Sequence, residues 1–184
     1  MRRALASLLC AVAPLAAAQE RMLFKEATVD VPVAEAWKAW ATREGVQSFF
    51  APEAVIDAKP DGAYAIHFNP YAPPGLRGAD DMRVLAVQEN RMISFTWNAP
   101  PQFPEARGQR TVVIVRTEPA GDKRTRVTLT HVGWGSGGQW DETFSYFDKA
   151  WSYVMASFQK RFAEGPVDWK PRLEQLRANQ PGRK

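Results

Sequence analysis

The sequence predicts an α+β domain in which a curved antiparallel β-sheet wraps one long C-terminal α-helix, with two short helices after the first strand. From Trp140 to Phe162 the large apolar residues recur at helical spacing, whereas most of the chain before this segment alternates as β-strands do. Short connections join the strand-like segments, and these allow antiparallel hairpins but no parallel crossovers. The apolar faces of the helix and the sheet are then expected to bury each other.

The long C-terminal helix has the clearest pattern in the chain. No Pro or Gly occurs between Gln139 and Glu164, so the helix can run unbroken. Two interpretations of its apolar face stay open, because the side chains either form ordinary core or line a ligand cavity between helix and sheet. The face consists of Trp140, Phe144, Phe147, Trp151, Val154, Phe158 and Phe162.

The other elements follow from turn residues and local periodicity. Phe24 to Val31 is a predicted strand that ends at Pro32, and Thr42 is a predicted cap between two short helices. Those helices are predicted at 33–41 and 43–50, and further strands at 54–56, 64–68, 83–88, 92–97, 111–118 and 124–131. Residues rich in Pro and Gly predict loops at 69–78, 100–108, 133–138 and after 165, with one short helix near 172–177.

The N-terminal segment has the order of a secretory signal peptide. Arg2 and Arg3 are basic, an apolar run follows, and small residues end at Ala18. We therefore predict residues 1–18 as a signal peptide cleaved after Ala18, residues 19–165 as the folded domain, and 166–184 as a basic tail that contains prolines. This organisation predicts an exported protein, periplasmic or extracellular.

Composition narrows the classes of function. The one cysteine, Cys10, would leave with the signal peptide, so neither a disulfide framework nor thiol chemistry is expected. Lys and Arg are mostly scattered rather than gathered in a stripe, which argues against nucleic-acid binding. No apolar run after residue 18 is long enough to predict a transmembrane segment.

Four segments resemble a known superfamily: Val31–Trp37, Phe95–Pro100, Thr128–Trp134 and the helix around Trp151. Together they resemble the SRPBCC superfamily, which has the START/Bet v 1-like helix-grip fold, and within it the branch named after the activator of the heat-shock-protein-90 ATPase (AHSA-like). The resemblance covers about residues 22–163 and implies the fold rather than one activity, since the branch holds both binders and cyclase-like proteins. The branch name implies a cytosolic, ATP-driven chaperone partner that an exported chain would not meet, so that role is not transferred.

Alternation along the strands predicts which residues share the space between sheet and helix. Phe95 and Trp97 fall on one strand face, and Phe147 and Trp151 fall on one helix face. We predict that the cavity opens beside residues 133–138, where the glycines relieve packing and Trp134 acts as a lid. The ligand-cavity candidates are Phe68, Phe95, Trp97, His131, Trp134, Phe147, Trp151 and Met155.

Candidate catalytic groups are few. His67 and His131 are the only histidines and are too far apart in sequence for a local metal motif, so no metal, cofactor or catalytic residue is predicted. His131 is either a structural histidine or an acid/base group beside the cavity. Arg83 and Arg116 lie in predicted strands and point either outward into solvent or into the cavity to meet an acidic ligand.

Three functions therefore remain open. The first is a binder or carrier of a small hydrophobic or aromatic molecule. The second is a cyclase-, aromatase- or hydrolase-like enzyme that uses the same cavity, and the third is a protein-interaction module. An apolar pocket favours the first, paired titratable groups in the pocket favour the second, and a filled core with an exposed apolar patch favours the third.

Overall fold

The computed structural model describes residues 20–180 and has the predicted α+β architecture. The predicted signal peptide and its cleavage site lie outside these residues. The elements are β1 (Leu23–Val29), α1 (Val33–Ala41), α2 (Arg43–Gln47), β2 (Glu53–Ile56), β3 (Tyr64–His67), β4 (Gly78–Ala79), β5 (Val84–Gln88), β6 (Met92–Trp97), α3 (Pro104–Arg107), β7 (Thr111–Pro119), β8 (Thr125–Val132), α4 (Gln139–Glu164) and α5 (Lys170–Ala178).

The larger sheet is antiparallel and has the strand order β1-β8-β7-β6-β5 within residues 20–180. His131 on β8 is paired with Leu23 on one side and with Val113 on the other, and Val113 in turn is paired with Phe95. Phe95 and His131 therefore lie on the same row across the sheet. A register shift between Val84 and Ala86 marks a bulge at the β5 edge, where bulges increase local twist.

A smaller antiparallel sheet, β2-β3-β4, continues the curve beyond β5. The two sheets meet at a bridge between Ala63 and Arg83, and the backbone N–H of Tyr64 donates to the carbonyl oxygen of Met82 over 2.8 Å. Antiparallel pairing of neighbouring strands confirms the prediction from the short connections. The sequence did not reveal β4, which lies in a segment rich in Pro and Gly.

Helix α4 packs along β1 and buries its apolar stripe in the core. Lys25 on β1 forms an ion pair with Asp148 over 2.7 Å, and Gln159 donates to the carbonyl oxygen of Thr28 over 3.2 Å. Phe158 is fully buried and contacts Trp40 of α1, with ring centroids 5.6 Å apart. The burial confirms that the stripe faces the protein interior.

Local differences from the predicted elements have simple causes. The capping prediction is confirmed, since Thr42 Oγ1 accepts a hydrogen bond from the N–H of Gly45 over 3.0 Å. The segment predicted as a loop at 100–108 contains α3, whereas the short helix predicted near 172–177 is present as α5, and each helix has a Pro in its first turn. Proline is tolerated there, so these prolines begin helices rather than prevent them. Among the helices of residues 20–180, none is both long enough and apolar enough to cross a membrane.

Candidate ligand-binding cleft

A cleft of about 1360 Å³ lies beside α4 and is the largest of three concavities described within residues 20–180. Two loops, 68–79 and 98–107, form one side, and the segment 167–172 after α4 forms another. The other two concavities described measure about 420 and 500 Å³. The large apolar side chains that line the cleft are Phe50, Phe68, Leu76, Trp97, Tyr146, Phe147, Trp151, Tyr153, Val154, Val167 and Trp169.

Four buried aromatic rings form the floor of this cleft. Phe50 stacks on Trp97 with ring centroids 5.9 Å apart and an angle of 20° between the planes. Phe147 stacks on Trp151 in the same way, at 5.9 Å and 22°, and Trp97 and Trp151 are 5.4 Å apart. These contacts fix the ring orientations, because aromatic pairs stabilise such geometries by about 0.5–1.5 kcal/mol each. The floor is therefore a rigid apolar surface.

A chain of hydrogen bonds holds the floor from behind. The indole N–H of Trp151 donates to His131 Nδ1 over 2.8 Å, and His131 Nε2 is 2.7 Å from Thr111 Oγ1. An indole can only donate, so Nδ1 is the accepting nitrogen and Nε2 carries the proton that goes to Thr111. The hydroxyl of Thr111 then donates to the carbonyl oxygen of Trp97 over 3.3 Å. Burial lowers the pKa of His131 to about 3, so the ring is neutral.

Arg107 connects the two loops through hydrogen bonds. Its guanidinium donates to the carbonyl oxygens of Gly75 and Gly78 over 2.6 and 2.9 Å, and also to the carbonyl oxygen of Ala99. Burial lowers the pKa of Arg107, although the charge of Asp80 opposes that effect. Because one cation is bonded to carbonyls of both loops, this side of the cleft has a defined shape before any ligand binds.

Asp80 directly follows the first of these loops and holds its second half in place. Its carboxylate accepts hydrogen bonds from the N–H groups of Gly75 and Gly78, each over 3.1 Å, and from Arg77 Nε over 2.8 Å. Burial alone would raise the pKa of Asp80, but these hydrogen bonds outweigh burial and the pKa is lowered. The ionised carboxylate thus satisfies backbone donors that a short irregular loop would otherwise leave unpaired.

The segment after α4 is attached at both of its ends. The N–H of Val167 donates to the carbonyl oxygen of Ser48 over 2.9 Å, and Trp169 Nε1 donates to the carbonyl oxygen of Gln47 over 2.5 Å. Further along, Arg177 donates to the hydroxyl of Tyr71 over 3.0 Å. The segment and α5 together therefore connect α2 to the loop 68–79 along one side of the cleft.

The predicted cavity residues divide into two groups. Phe68, Trp97, Phe147 and Trp151 line the cleft together, whereas Phe95, His131, Trp134 and Met155 do not. Phe95 is fully buried beneath the floor, where it stacks on Tyr64 at 3.7 Å, and Met155 is also buried. His131 lies behind Trp151, so it supports the floor without facing the cleft.

Trp134 and the glycine-rich loop occupy a different place from the predicted opening. The ring of Trp134 lies 4.1 Å from that of His131, and its N–H donates to the carbonyl oxygen of the same residue over 2.8 Å. Trp140 packs directly on Gly135, where an added Cβ would lie 2.3 Å from its indole nitrogen. Aromatic rings thus fill the space beside residues 133–138, and the opening lies along residues 142–154 of α4 instead.

Several residues that line the cleft were not among the predicted cavity residues, including Asn98, Tyr146, Tyr153 and Trp169. Tyr146 and Tyr153 are seven residues apart, two turns of the helix, and they widen the apolar face beyond the buried stripe. That spacing could have predicted from the sequence that both tyrosines lie beside the apolar stripe. Nothing local marked Asn98 or Trp169, because their positions depend on how distant segments pack.

The polar groups considered from sequence lie outside the cleft lining. His67 is buried, with Nδ1 2.7 Å from Glu53 Oε1, and its Nε2 has no hydrogen-bond partner within residues 20–180 but lies 3.9 Å from Asp80 Oδ1. Arg83 and Arg116 are exposed. No group of three His, Cys, Asp or Glu side chains in this part of the chain is placed to hold a metal ion.

Solved structures with this fold come from several bacteria. The chain is similar to protein MLL2253 of Mesorhizobium loti, with a TM-score of 0.63, 18% identity, and coverage of 80% of this chain and 100% of that one. The Aha1 dimer of Colwellia psychrerythraea gives a TM-score of 0.61 at 14% identity, with 79% and 98% of the two chains covered. CalU16 of Micromonospora echinospora gives 0.59 at 18%, with 88% and 84% covered.

At these identities the likeness establishes the fold alone. No curated protein matches the chain. The family described as Activator of Hsp90 ATPase homolog 1-like protein matches residues 30–163, which run from the end of β1 almost to the end of α4. The match covers most of the chain and confirms the AHSA-like resemblance seen in the sequence. The chain therefore belongs to the family of Activator of Hsp90 ATPase homolog 1-like proteins, within the SRPBCC superfamily.

Proposed function

We propose that this protein binds a small apolar or aromatic molecule in the cleft beside α4 and acts as its carrier. The observation that carries the proposal is the aromatic floor, formed by rings that stack on one another and face a cavity of about 1360 Å³. Small-molecule sites are typically concave and apolar, with volumes of roughly 300–1,000 Å³, so this cleft can accept a ligand of several fused rings.

The bonded walls support binding without large rearrangement. Arg107 joins the two loops, and Trp169 joins the C-terminal segment to α2. A site whose shape is already fixed loses less conformational entropy when a ligand enters, and the affinity gained from apolar contact is correspondingly greater. Each Å² of apolar ligand surface removed from water contributes about 25 cal/mol.

Neither histidine of the chain lines the cleft, which favours binding over acid/base catalysis there. His131 is neutral and fully engaged behind the floor, and His67 is buried beside Glu53. Of the charged side chains that line the cleft, Arg77 and Arg107 already form hydrogen bonds with Asp80 or with backbone carbonyls. The others are exposed to solvent rather than buried against the aromatic floor, namely Glu142, Lys149, Asp168 and Arg172. An enzyme of the cyclase or hydrolase class would instead place paired titratable groups toward the ligand.

We extend the proposal to the place of action, which is the periplasm or the cell exterior. The support comes from the basic, apolar and small-residue order of residues 1–18. Intact-mass measurement of the protein from its own host tests this. A mature chain beginning at Gln19 supports export, whereas a cytosolic protein that retains Met1 rejects it.

The binding test uses N-phenyl-1-naphthylamine, an uncharged aromatic fluorophore, with probe emission and Trp emission recorded together. We expect saturable binding to the wild type and loss of binding in Ala150→Trp, because Ala150 lines the cleft and the new ring fills it. Ala156→Trp is the matched control, since Ala156 is an exposed residue of the same helix outside the cleft lining. Equal binding by all three proteins would place the probe elsewhere and reject the proposal.

A second function, docking of a protein partner, is favoured by the exposed apolar residues at the rim. Tyr153 is 72% exposed, Leu76 is 50% exposed and Phe68 is 40% exposed. Exposed apolar residues grouped in this way are typical of interaction sites. Absence of saturable fluorophore binding to the wild type would favour this function over the carrier. Native mass spectrometry of the protein from its host then identifies what occupies the cleft.

A further inference from the structure

Asn98 is the one cleft residue that combines deep burial with an uncommitted side-chain amide, within residues 20–180. It follows the last residue of β6 directly, so the strand fixes its backbone next to Trp97 on the cleft floor. Only 6% of its surface is exposed. A polar side chain buried this deeply normally forms hydrogen bonds, since an unpaired amide in apolar surroundings is costly.

The amide of Asn98 has no hydrogen-bond partner among the described residues. In this part of the chain, the side-chain N and O atoms that are inaccessible to solvent and lack a hydrogen-bond partner belong to Trp37, Trp40, His67 and Thr143. None of them belongs to Asn98. Its amide atoms therefore remain in contact with open space. Since Asn98 lines the cleft, that space is the cleft itself.

The other polar side chains that line the cleft are either hydrogen-bonded within the protein or exposed to solvent. Asn69 also lines it, but its Oδ1 accepts a hydrogen bond from the N–H of Tyr71 over 3.2 Å. Arg107 donates to three backbone carbonyls of the two loops. Among the polar side chains set into the inner side of the cleft, Asn98 thus has a free amide to offer, with two N–H donors and one carbonyl acceptor.

We propose that Asn98 is the specificity-determining residue of the cleft, and that it selects planar aromatic ligands bearing a hydroxyl or carbonyl oxygen. This inference rests on the proposed binding function. The aromatic floor holds the planar part of such a ligand, while the ligand oxygen takes the place of water on the Asn98 amide. A ligand without that oxygen leaves the amide dehydrated and unpaired, and so binds less tightly.

The test compares 2-naphthol with 2-methylnaphthalene as competitors of N-phenyl-1-naphthylamine. The two have nearly the same shape and differ by a hydroxyl in place of a methyl group. A purely apolar cleft prefers 2-methylnaphthalene, which is the more hydrophobic. We expect the wild type to prefer 2-naphthol severalfold, because the hydrogen bond that 2-naphthol gains and the unpaired amide that 2-methylnaphthalene leaves together outweigh the apolar preference.

Two variants assign the preference to the amide. Asn98→Leu keeps the size of the side chain and removes its polar atoms, and Asn98→Ala is a smaller change in case the leucine disturbs folding. We expect both to bind N-phenyl-1-naphthylamine and to prefer 2-methylnaphthalene. Gln109→Leu is the control and is expected to retain the preference for 2-naphthol, because Gln109 is an exposed amide residue outside the cleft lining.

The possible results distinguish the role of Asn98 from the carrier function on which it rests. A wild type that binds the fluorophore but does not prefer 2-naphthol rejects the role of Asn98 and leaves the carrier function standing. A preference for 2-naphthol that persists in both Asn98 variants also rejects the role of Asn98 and leaves the carrier function standing. Failure of the wild type to bind any of the three compounds rejects the carrier function and the inference together.

Discussion

Trp151 on α4 donates its indole N–H to Nδ1 of His131 on β8 over 2.8 Å. Both residues are buried, so the bond joins helix and sheet inside the core rather than at the surface. His131 is also hydrogen-bonded to Thr111 of β7, and the Thr111 hydroxyl donates to the backbone carbonyl oxygen of Trp97. Two of the aromatic rings on the cleft floor are therefore connected through a neutral histidine.

This connection makes Trp151 the side chain of α4 whose removal we expect to destabilise the fold most. Trp151→Ala leaves a large cavity and an unpaired His131 nitrogen, and truncation of a buried Trp typically costs about 3–5 kcal/mol. Tyr153→Ala on the same helix is the control, expected to change stability by less than about 0.5 kcal/mol because Tyr153 is 72% exposed. Denaturant unfolding measures both. A loss below about 1 kcal/mol for Trp151→Ala would contradict the arrangement.

The neutral state of His131 predicts a particular dependence of stability on pH. Its pKa is lowered by burial from 6.5 to about 3 in the folded protein. Between these values the unfolded chain binds a proton at this position that the folded chain excludes. The free energy of unfolding should therefore fall as the pH falls from about 6.5 toward 3, by up to about 1.4 kcal/mol per pH unit from this group.

His131→Gln isolates that contribution, because glutamine forms hydrogen bonds but does not titrate. We expect the variant to be less stable than the wild type at pH 7 and to lose stability more slowly between pH 6 and pH 4. The carboxylates titrate in both proteins, so the difference between the two profiles reports His131 alone. Parallel profiles would show that the folded protein admits the proton.

The elements of the fold were predictable because their signals are local. The spacing from Trp140 to Phe162 depends on one helix, and the alternation from Met92 to Trp97 depends on one strand. Burial of the helical stripe then followed from its apolar character. The helix-grip arrangement, which the sequence pattern and family resemblance both predicted, is the one observed.

The position of the cleft was less predictable because it depends on contacts between distant segments. Glycines at 133–138 suggested an opening, but Trp140 closes back on Gly135 and fills it. The opening lies instead where Arg107 joins two loops and where the segment containing Trp169 crosses from α2. Alternation placed Phe95 on the same strand face as Trp97, yet Tyr64 of the smaller sheet covers Phe95 and not Trp97.

Asp80 should stabilise the loop 68–79 more than its position in an irregular segment suggests. Asp80→Asn removes the charge that faces Arg77 and cannot accept all three hydrogen bonds, so we expect a loss of about 1–3 kcal/mol and weaker binding of aromatic probes. Asp81→Asn is the neighbouring control. Its partner is Arg110 at an exposed site, where an ion pair contributes about 1 kcal/mol or less. Equal losses in the two variants would contradict a special role for Asp80.

The segment after α4 should affect ligand affinity more than stability. Trp169 lines the cleft, but α5 beyond it has no buried residues and adds little to the core. We expect Trp169→Ala to weaken binding of N-phenyl-1-naphthylamine several-fold with little change in melting temperature, because the mutation removes one wall while the aromatic floor stays in place.

Two further variants show whether the ring of Trp169 or its hydrogen bond is responsible. Trp169→Phe keeps a ring in the wall and loses the N–H that donates to Gln47, so near-normal affinity would assign the effect to apolar contact with the ligand. Affinity as low as that of Trp169→Ala would instead show that the attachment to α2 positions the whole segment. Glu174→Ala, at an exposed position of α5, should bind the probe as the wild type does. Unchanged affinity in Trp169→Ala itself would mean that the ligand is held by the floor and the two loops alone, without the segment that follows the family domain.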